Sequence, residues 1–230
     1  MPAGPLGHTG AMTTSRRAAV MCAAMVLLGP VALQATASEP SSTDGQPGQQ
    51  VLLYGFEPFG PFEVNPTAAL VRRLALAHPE RRAAILSVQP ADAVGELYHL
   101  MSAAPRVILG FGVRADLQDL EVNTAATNWM SMRSEAAIPF FGAIDPGLPV
   151  AIALPDAWHQ TIRRRLRDTG VAHTLSADAG MHACNLTFFQ ALVHAEPATR
   201  VVFIHVAPDA MTRPGYFEAL GRVVDALLLP

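Results

Sequence analysis

From residue 51 onward, short apolar runs alternate with stretches of helical period. Val51–Tyr54 is a continuous apolar run closed by Gly55, the pattern of a buried strand. The next segment, G-F-E-P-F-G-P-F-E-V-N-P at 55–66, is punctuated by Gly and Pro and reads as a loop. Thr67–Ala77 is helical, and it stops at His78-Pro79 because the residue before proline is pushed out of the α region. Ala83–Val88 reads as a strand, Ala91–Ser102 as a helix with Val94, Leu97 and Leu100 on one face, and Arg106–Phe111 as a third strand. Residues 115–135 keep no single period and read as an extended strand or hairpin, followed by a Pro/Gly-rich loop at 138–149. Val150–Leu154 is a further strand. Asp156–Thr169 is a helix, with Asp156 as its N-cap and Gly170 as its stop. Val171–Leu175 is a strand, and a polar turn from Ser176 then runs into a helical apolar pattern ending near His194. Val201–Val206 is the last strand and Gly215–Leu229 the closing helix. This alternation predicts an α/β fold of three layers, a twisted, mostly parallel central sheet with helices on both faces. In such sheets, ligands gather beyond the carboxyl ends of the strands.

Composition adds limits. Half of the 230 residues are hydrophobic, enough for a sizeable core in a single domain over 51–230. The formal net charge is −3, and all sixteen basic residues are arginine. Arg72-Arg73, Arg81-Arg82 and Arg163-Arg164-Arg165 read as solvated faces. No basic stripe with interleaved aromatics is present, so a nucleic-acid partner is not expected. Residues 1–37 read as a secretory signal peptide: Arg16-Arg17, an apolar run from Ala18 to Leu33, and small residues through Ala35-Thr36-Ala37. The run is too short and alanine-rich for a membrane span, so a secreted or periplasmic protein without a stable membrane anchor is expected. Residues 38–50 contain no large apolar side chain and read as a flexible leader. Cys22 leaves with the signal, which makes Cys184 the lone thiol of the exported chain and a feature to explain.

Cys184 lies near the start of the helical pattern that follows S-A-D-A-G-M-H-A-C-N. Unpaired N–H groups and the dipole at a helix start favour negative charge, which lowers a thiol pKa and makes a better nucleophile. The bland alternative is a buried cysteine packed as a small hydrophobe. His205 ends the last strand, and Cys184 follows the end of the one before it, so both are expected at one edge of the sheet. His173, Asp178, His182, Cys184 and His205 fit no common zinc spacing, and no metal or other cofactor is expected. A G-x-S-x-G serine elbow is absent. Phe56, Phe59 and Phe62 either line a pocket from the loop or fold back beneath it as core.

Four motifs carry a resemblance that covers nearly everything from Val51 onward. They are G-F-E-P-F-G (55–60) with N-P-T (65–67), A-T-N (126–128), A-G-M-H-A-C-N (179–185) and F-I-H-V (203–206). In order and rough spacing they resemble the pyroglutamyl peptidase I family of cysteine peptidases. The resemblance implies removal of an N-terminal pyroglutamate from peptides by acyl transfer through a thioester. It implies Cys184 as nucleophile, His205 as its base, Phe56 and Phe59 around the flat lactam ring, and Arg114 near the developing oxyanion. Family members assemble as dimers or tetramers, so a homo-oligomer is compatible with it.

The third catalytic position departs from the family. There a glutamate precedes the asparagine of A-x-N by five positions, a place held here by Asn123. Glu121 is two residues earlier, on the same face of a strand. An asparagine can orient a histidine without supplying charge; a register shift would let Glu121 serve instead. The stretch from Arg114 to Asn128 is longer than in the family, and the I-P-D-N-E-G-like run after Arg133 is missing. A degenerate homologue that binds a small lactam or peptide N-terminus is therefore the competing expectation.

Overall fold

The apolar run at residue 51 forms β1 (Val51–Phe56), whose last five residues are buried. A computed structural model describes residues 51–60, 63–132 and 140–229. The signal peptide and leader expected at 1–37 and 38–50, and Phe62, lie outside those residues.

After β1 come α1 (Pro66–Ala77), β2 (Arg82–Leu86), α2 (Pro90–Met101) and β3 (Val107–Val113). The chain continues through four short strands, β4 (Leu120–Asn123), β5 (Ala125–Thr127), β6 (Met130–Met132) and β7 (Phe140–Gly142), and then β8 (Ala151–Ala153). It closes with α3 (Asp156–Thr169), β9 (His173–Ser176), α4 (Ala183–His194), β10 (Arg200–Val206) and α5 (Tyr216–Leu228). The central sheet has the order β2-β1-β3-β10-β4-β9. Its pairings are parallel except β10 with β4, so the mostly parallel α/β architecture is as the alternation predicts.

Helices cover both faces. β2 and β3 flank β1 on opposite sides, so the right-handed crossovers through α1 and α2 pass on opposite faces. α1 shares its face with α5, where Arg73 stacks 3.7 Å over the Phe217 ring. α3 joins them, with Trp158 Nε1 donating to Val201 O at 3.2 Å. α2 and α4 lie together on the other face. The strands between these layers are near-continuous apolar runs because a parallel sheet is buried on both sides; Leu53, Ile108, Leu109, Val202 and Ile204 are fully buried.

Several sequence expectations are corrected. Val150–Leu154 yields a strand, β8, but it pairs antiparallel with β5 outside the central sheet. The described part of the irregular 115–135 stretch, up to residue 132, forms three strands, of which β4 alone enters the central sheet. Periodicity fails there because each strand has different neighbours. The loop expected at 138–149 contains β7, which pairs with β6 as a hairpin. Asp156 opens α3, but Pro155 occupies the cap place and no side chain caps the helix. Gly170 stops that helix as expected, at φ 64°, a conformation costly for any residue with a Cβ.

One correction bears on the site. β4 and β9 run opposite to the other four strands, so Ser176 at the end of β9 lies level with Asn123 and Phe203, not at the carboxyl edge of β10. The turn after Ser176 has to reverse the chain before Cys184 can approach His205.

Candidate active site

That turn is held by short side chains. Asp178 N donates to Ser176 Oγ at 3.1 Å and Gly180 N to Asp178 Oδ1 at 2.7 Å. The chain then enters α4 with His182 as the residue before the helix, so Cys184 is the second helical residue. The first helical bond runs from Leu186 N to His182 O, and no side chain caps the N–H groups before it. Asn185 fastens the helix start sideways. Its fully buried amide donates to Thr127 O at 2.8 Å and Trp129 O at 3.0 Å, and accepts from Thr127 N at 2.9 Å.

β3 and β10 supply the other half. His205 stands between Gly112 on β3 and Glu121 on β4 in register, so all three share the α4 face of the sheet. A Cβ added to Gly112 would lie 2.6 Å from Cys184 Sγ and 3.0 Å from His205 Cδ2. The thiol and the Nε2 edge of the imidazole thus meet over a glycine with no room for a side chain. Gly112 lies inside β3, which runs two residues beyond the strand end expected at Phe111.

The far side of His205 settles its tautomer. Nδ1 lies 2.7 Å from Asn123 Oδ1. Asn123 Nδ2 donates to Glu121 Oε1 at 3.0 Å and to Asp178 O at 2.9 Å, which fixes which end of the amide faces the ring. Nδ1 therefore carries the hydrogen, and the Nε2 lone pair is left for the thiol side. Glu121 Oε1 is also 3.4 Å from Nδ1. Both side chains reach Nδ1, Asn123 Oδ1 as the nearer and Glu121 Oε1 as the farther. Arg114 completes the cluster, donating to Glu121 Oε2 at 3.0 Å and to Asp178 O at 2.7 Å. Arg114 and Asn123 thus both anchor the turn that delivers Cys184. Asp178, which provides that shared acceptor, was not singled out as part of the dyad's support.

Electrostatics modify the expected thiol. Burial pushes the Cys184 thiol up to about 12, although its own backbone N–H and the Arg114 charge pull the other way. Desolvation opposes the helix start, so the shift runs upward, against the direction expected from sequence. Burial also lowers the His205 pKa, against the raising influence of Glu121. Burial would raise the Glu121 carboxyl, but its bonds to His205 and Asn123 and the Arg114 charge together hold it below its ordinary range. These directions favour a neutral thiol, a neutral imidazole and an ionised carboxylate.

The family model for pyroglutamyl peptidase matches residues 49–211. The chain belongs to the pyroglutamyl peptidase family. It is 28% identical over 196 residues to the pyrrolidone-carboxylate peptidase of Thermococcus litoralis, covering 79% of this chain and 86% of that protein. The corresponding protein of Chromobacterium violaceum is 30% identical over 191 residues, covering 78% and 89%. The crystal structure of pyrrolidone carboxyl peptidase from Thermus thermophilus superposes with a TM-score of 0.65 at 28% identity, covering 77% of this chain and 98% of that one.

Within that family frame, the motif residues divide into two groups. Cys184 and His205 meet over Gly112, while Asn65, Asn128 and Asn185 spend their side chains on holding turns and helix starts. Asn128 is buried and ties down the 145–148 turn, donating to Asp145 O at 2.6 Å and Leu148 O at 3.0 Å. The two phenylalanines expected around a ligand differ in setting. β1 extends two residues beyond Tyr54 because its pairing with β2 continues to Phe56 opposite Leu86, so Phe56 belongs to the strand. It is 2% exposed and packs 5.9 Å from Tyr54 and 6.5 Å from Phe203, on the dyad's face of the sheet. Phe59 stays on the loop, 39% exposed. Among the described residues no group of His, Cys, Asp or Glu is placed to hold a metal ion, and no helix is long and apolar enough to cross a membrane.

Proposed function

We propose that this chain removes N-terminal pyroglutamate from peptides through a thioester on Cys184. The observation that carries this reading is the meeting of Cys184 Sγ and His205 over Gly112. His205 Nε2 accepts the thiol proton as Sγ attacks the pyroglutamyl carbonyl carbon. The tetrahedral oxyanion takes hydrogen bonds from N–H groups at the start of α4. Collapse breaks the C–N bond, the leaving amine takes the proton from Nε2, and the acyl group remains on sulfur. Water, deprotonated by Nε2, then attacks the thioester; pyroglutamate leaves and the proton returns to sulfur. With burial raising the thiol pKa, proton transfer accompanies attack instead of preceding it. The lactam ring would lie against Phe59 and over Phe56. Arg114 contributes positive charge beside the site while holding Glu121.

The test is cleavage of a pyroglutamyl-coumarin amide by residues 38–230 under reducing conditions, beside Cys184→Ala. Turnover is expected, and its loss in the variant. Turnover that survives the substitution would remove Cys184 from the mechanism. The raised thiol pKa and Asn123 in the family's glutamate position favour a second reading, a binding protein for a lactam or peptide N-terminus. A folded chain without turnover, whose thiol is protected from iodoacetamide by a simple five-membered lactam, would select it. Export to the periplasm or medium is part of the proposal, supported by Arg16-Arg17, the apolar run and the small residues through Ala37. Fractionation of cells expressing the full chain tests it: a product retaining residues 1–37 in the cytosol would overturn it.

A further inference from the structure

We infer that Glu121 and Asn123 act as a split positioning pair for His205: Asn123 fixes the ring, and Glu121 supplies the negative charge that stabilises the imidazolium. This rests on the peptidase reading of the dyad. A single acidic residue performs both tasks when it contacts the ring directly. Here the residue in contact is an amide, with Oδ1 at 2.7 Å from Nδ1. An amide fixes tautomer and orientation but brings no net charge. The charge sits beside the amide, at Glu121, with Oε1 3.4 Å from the same nitrogen and 3.0 Å from Asn123 Nδ2.

Three features make this placement effective. Both side chains are buried, Glu121 at 5% exposure and Asn123 at 0%, so water screens the carboxylate weakly. The carboxylate also pulls on the Asn123 N–H. That polarises the amide and strengthens its Oδ1 as an acceptor for Nδ1–H. Arg114 binds the other oxygen, Oε2, at 3.0 Å, which keeps Glu121 ionised and leaves Oε1 turned toward the ring. Period two along β4 puts both residues on one face, and the antiparallel register sets Glu121 opposite His205. When Nε2 takes the thiol proton, the Nδ1 proton stays on the ring, and none passes to Asn123 or Glu121. The competing view makes Glu121 a clamp for Arg114 only, with no electrostatic effect on His205.

The two views separate in a titration of the His205 ring by nuclear magnetic resonance, using the whole 38–230 chain. In Glu121→Gln the midpoint should fall by about one pH unit, the scale of a lost opposite charge at this distance. The double variant Glu121→Gln/Asn123→Glu moves the carboxylate into direct contact and should restore or raise it. In the coumarin assay, kcat of Glu121→Gln should drop about tenfold with KM nearly unchanged, and the acid limb of its pH profile should move to lower pH. Should the variants not fold, the wild type suffices: the His205 resonance should respond at acid pH as Glu121 gains its proton. An unmoved midpoint in Glu121→Gln, or a wild-type resonance silent to that protonation, would overturn the inference. The titration needs no turnover, so an inactive wild type whose His205 still responds would reject the peptidase reading and retain the coupling.

Discussion

Gly112 sets how closely thiol and imidazole approach. A Cβ there would lie 2.6 Å from Sγ, so Gly112→Ala must push Cys184 or His205 aside. A displacement near 1 Å in a reacting pair costs on the order of a hundredfold in rate. Gly112→Ala should lose about that much kcat/KM while keeping its circular dichroism; an equal activity would show the pair has slack. At the same scale, burial holds the thiol near 12. Iodoacetamide should therefore react with the substrate-free protein more slowly than with a free cysteine at pH 8.5, and its rate should keep rising well above that pH. A plateau near pH 7 would show a thiolate already formed at rest. Sequence named Cys184, His205 and the Asn123/Glu121 choice, because each is a residue type with its own chemistry in a motif of fixed spacing. The thiol's pKa was not legible there: the helix start argues downward and burial upward, and only packing decides between them.

At the scale of elements, the site depends on how two helices begin. α1 is capped by Asn65, whose side chain accepts from Thr67 N at 3.0 Å and donates to Glu57 O at 2.9 Å. Thr67 Oγ1 in turn accepts from Phe56 N at 3.0 Å, so one short motif ties the Phe59 loop to both β1 and α1. Asn65 is 1% exposed, and Asn65→Ala should cost about 1–2 kcal/mol, a lost cap with its buried partners. Urea unfolding measures this, and a cost below about 0.5 kcal/mol would show the cap is redundant. The N-P-T motif was visible as a motif, and Thr67 as a residue near the helix start, but its link to Phe56 spans eleven residues and is tertiary. The same holds for α4. Its apolar pattern was legible, whereas the turn that reverses the chain before Cys184 follows from the opposed direction of β9. Local periodicity has no sign for strand direction.

For the whole molecule, acid stability should carry the mark of Glu121. Its folded pKa lies below its unfolded value, so its bonds contribute stability that is fully present above the ordinary carboxyl range. That contribution fades as pH falls through the folded pKa. The unfolding free energy of the wild type should exceed that of Glu121→Gln at pH 6–7, and the gap should narrow below about pH 4.3. A gap constant down to pH 3 would mean that folding leaves the Glu121 pKa unshifted. The α/β alternation, the family, and Cys184 and His205 as candidates are readable along the chain, because apolar period and motif spacing are local properties. Tertiary packing sets the reversed direction of β4 and β9, the burial that opposes the helix start at Cys184, and the placing of both Asn123 and Glu121 at His205 Nδ1. Those outcomes depend on which distant groups share a volume from which water is excluded, and no local pattern encodes that.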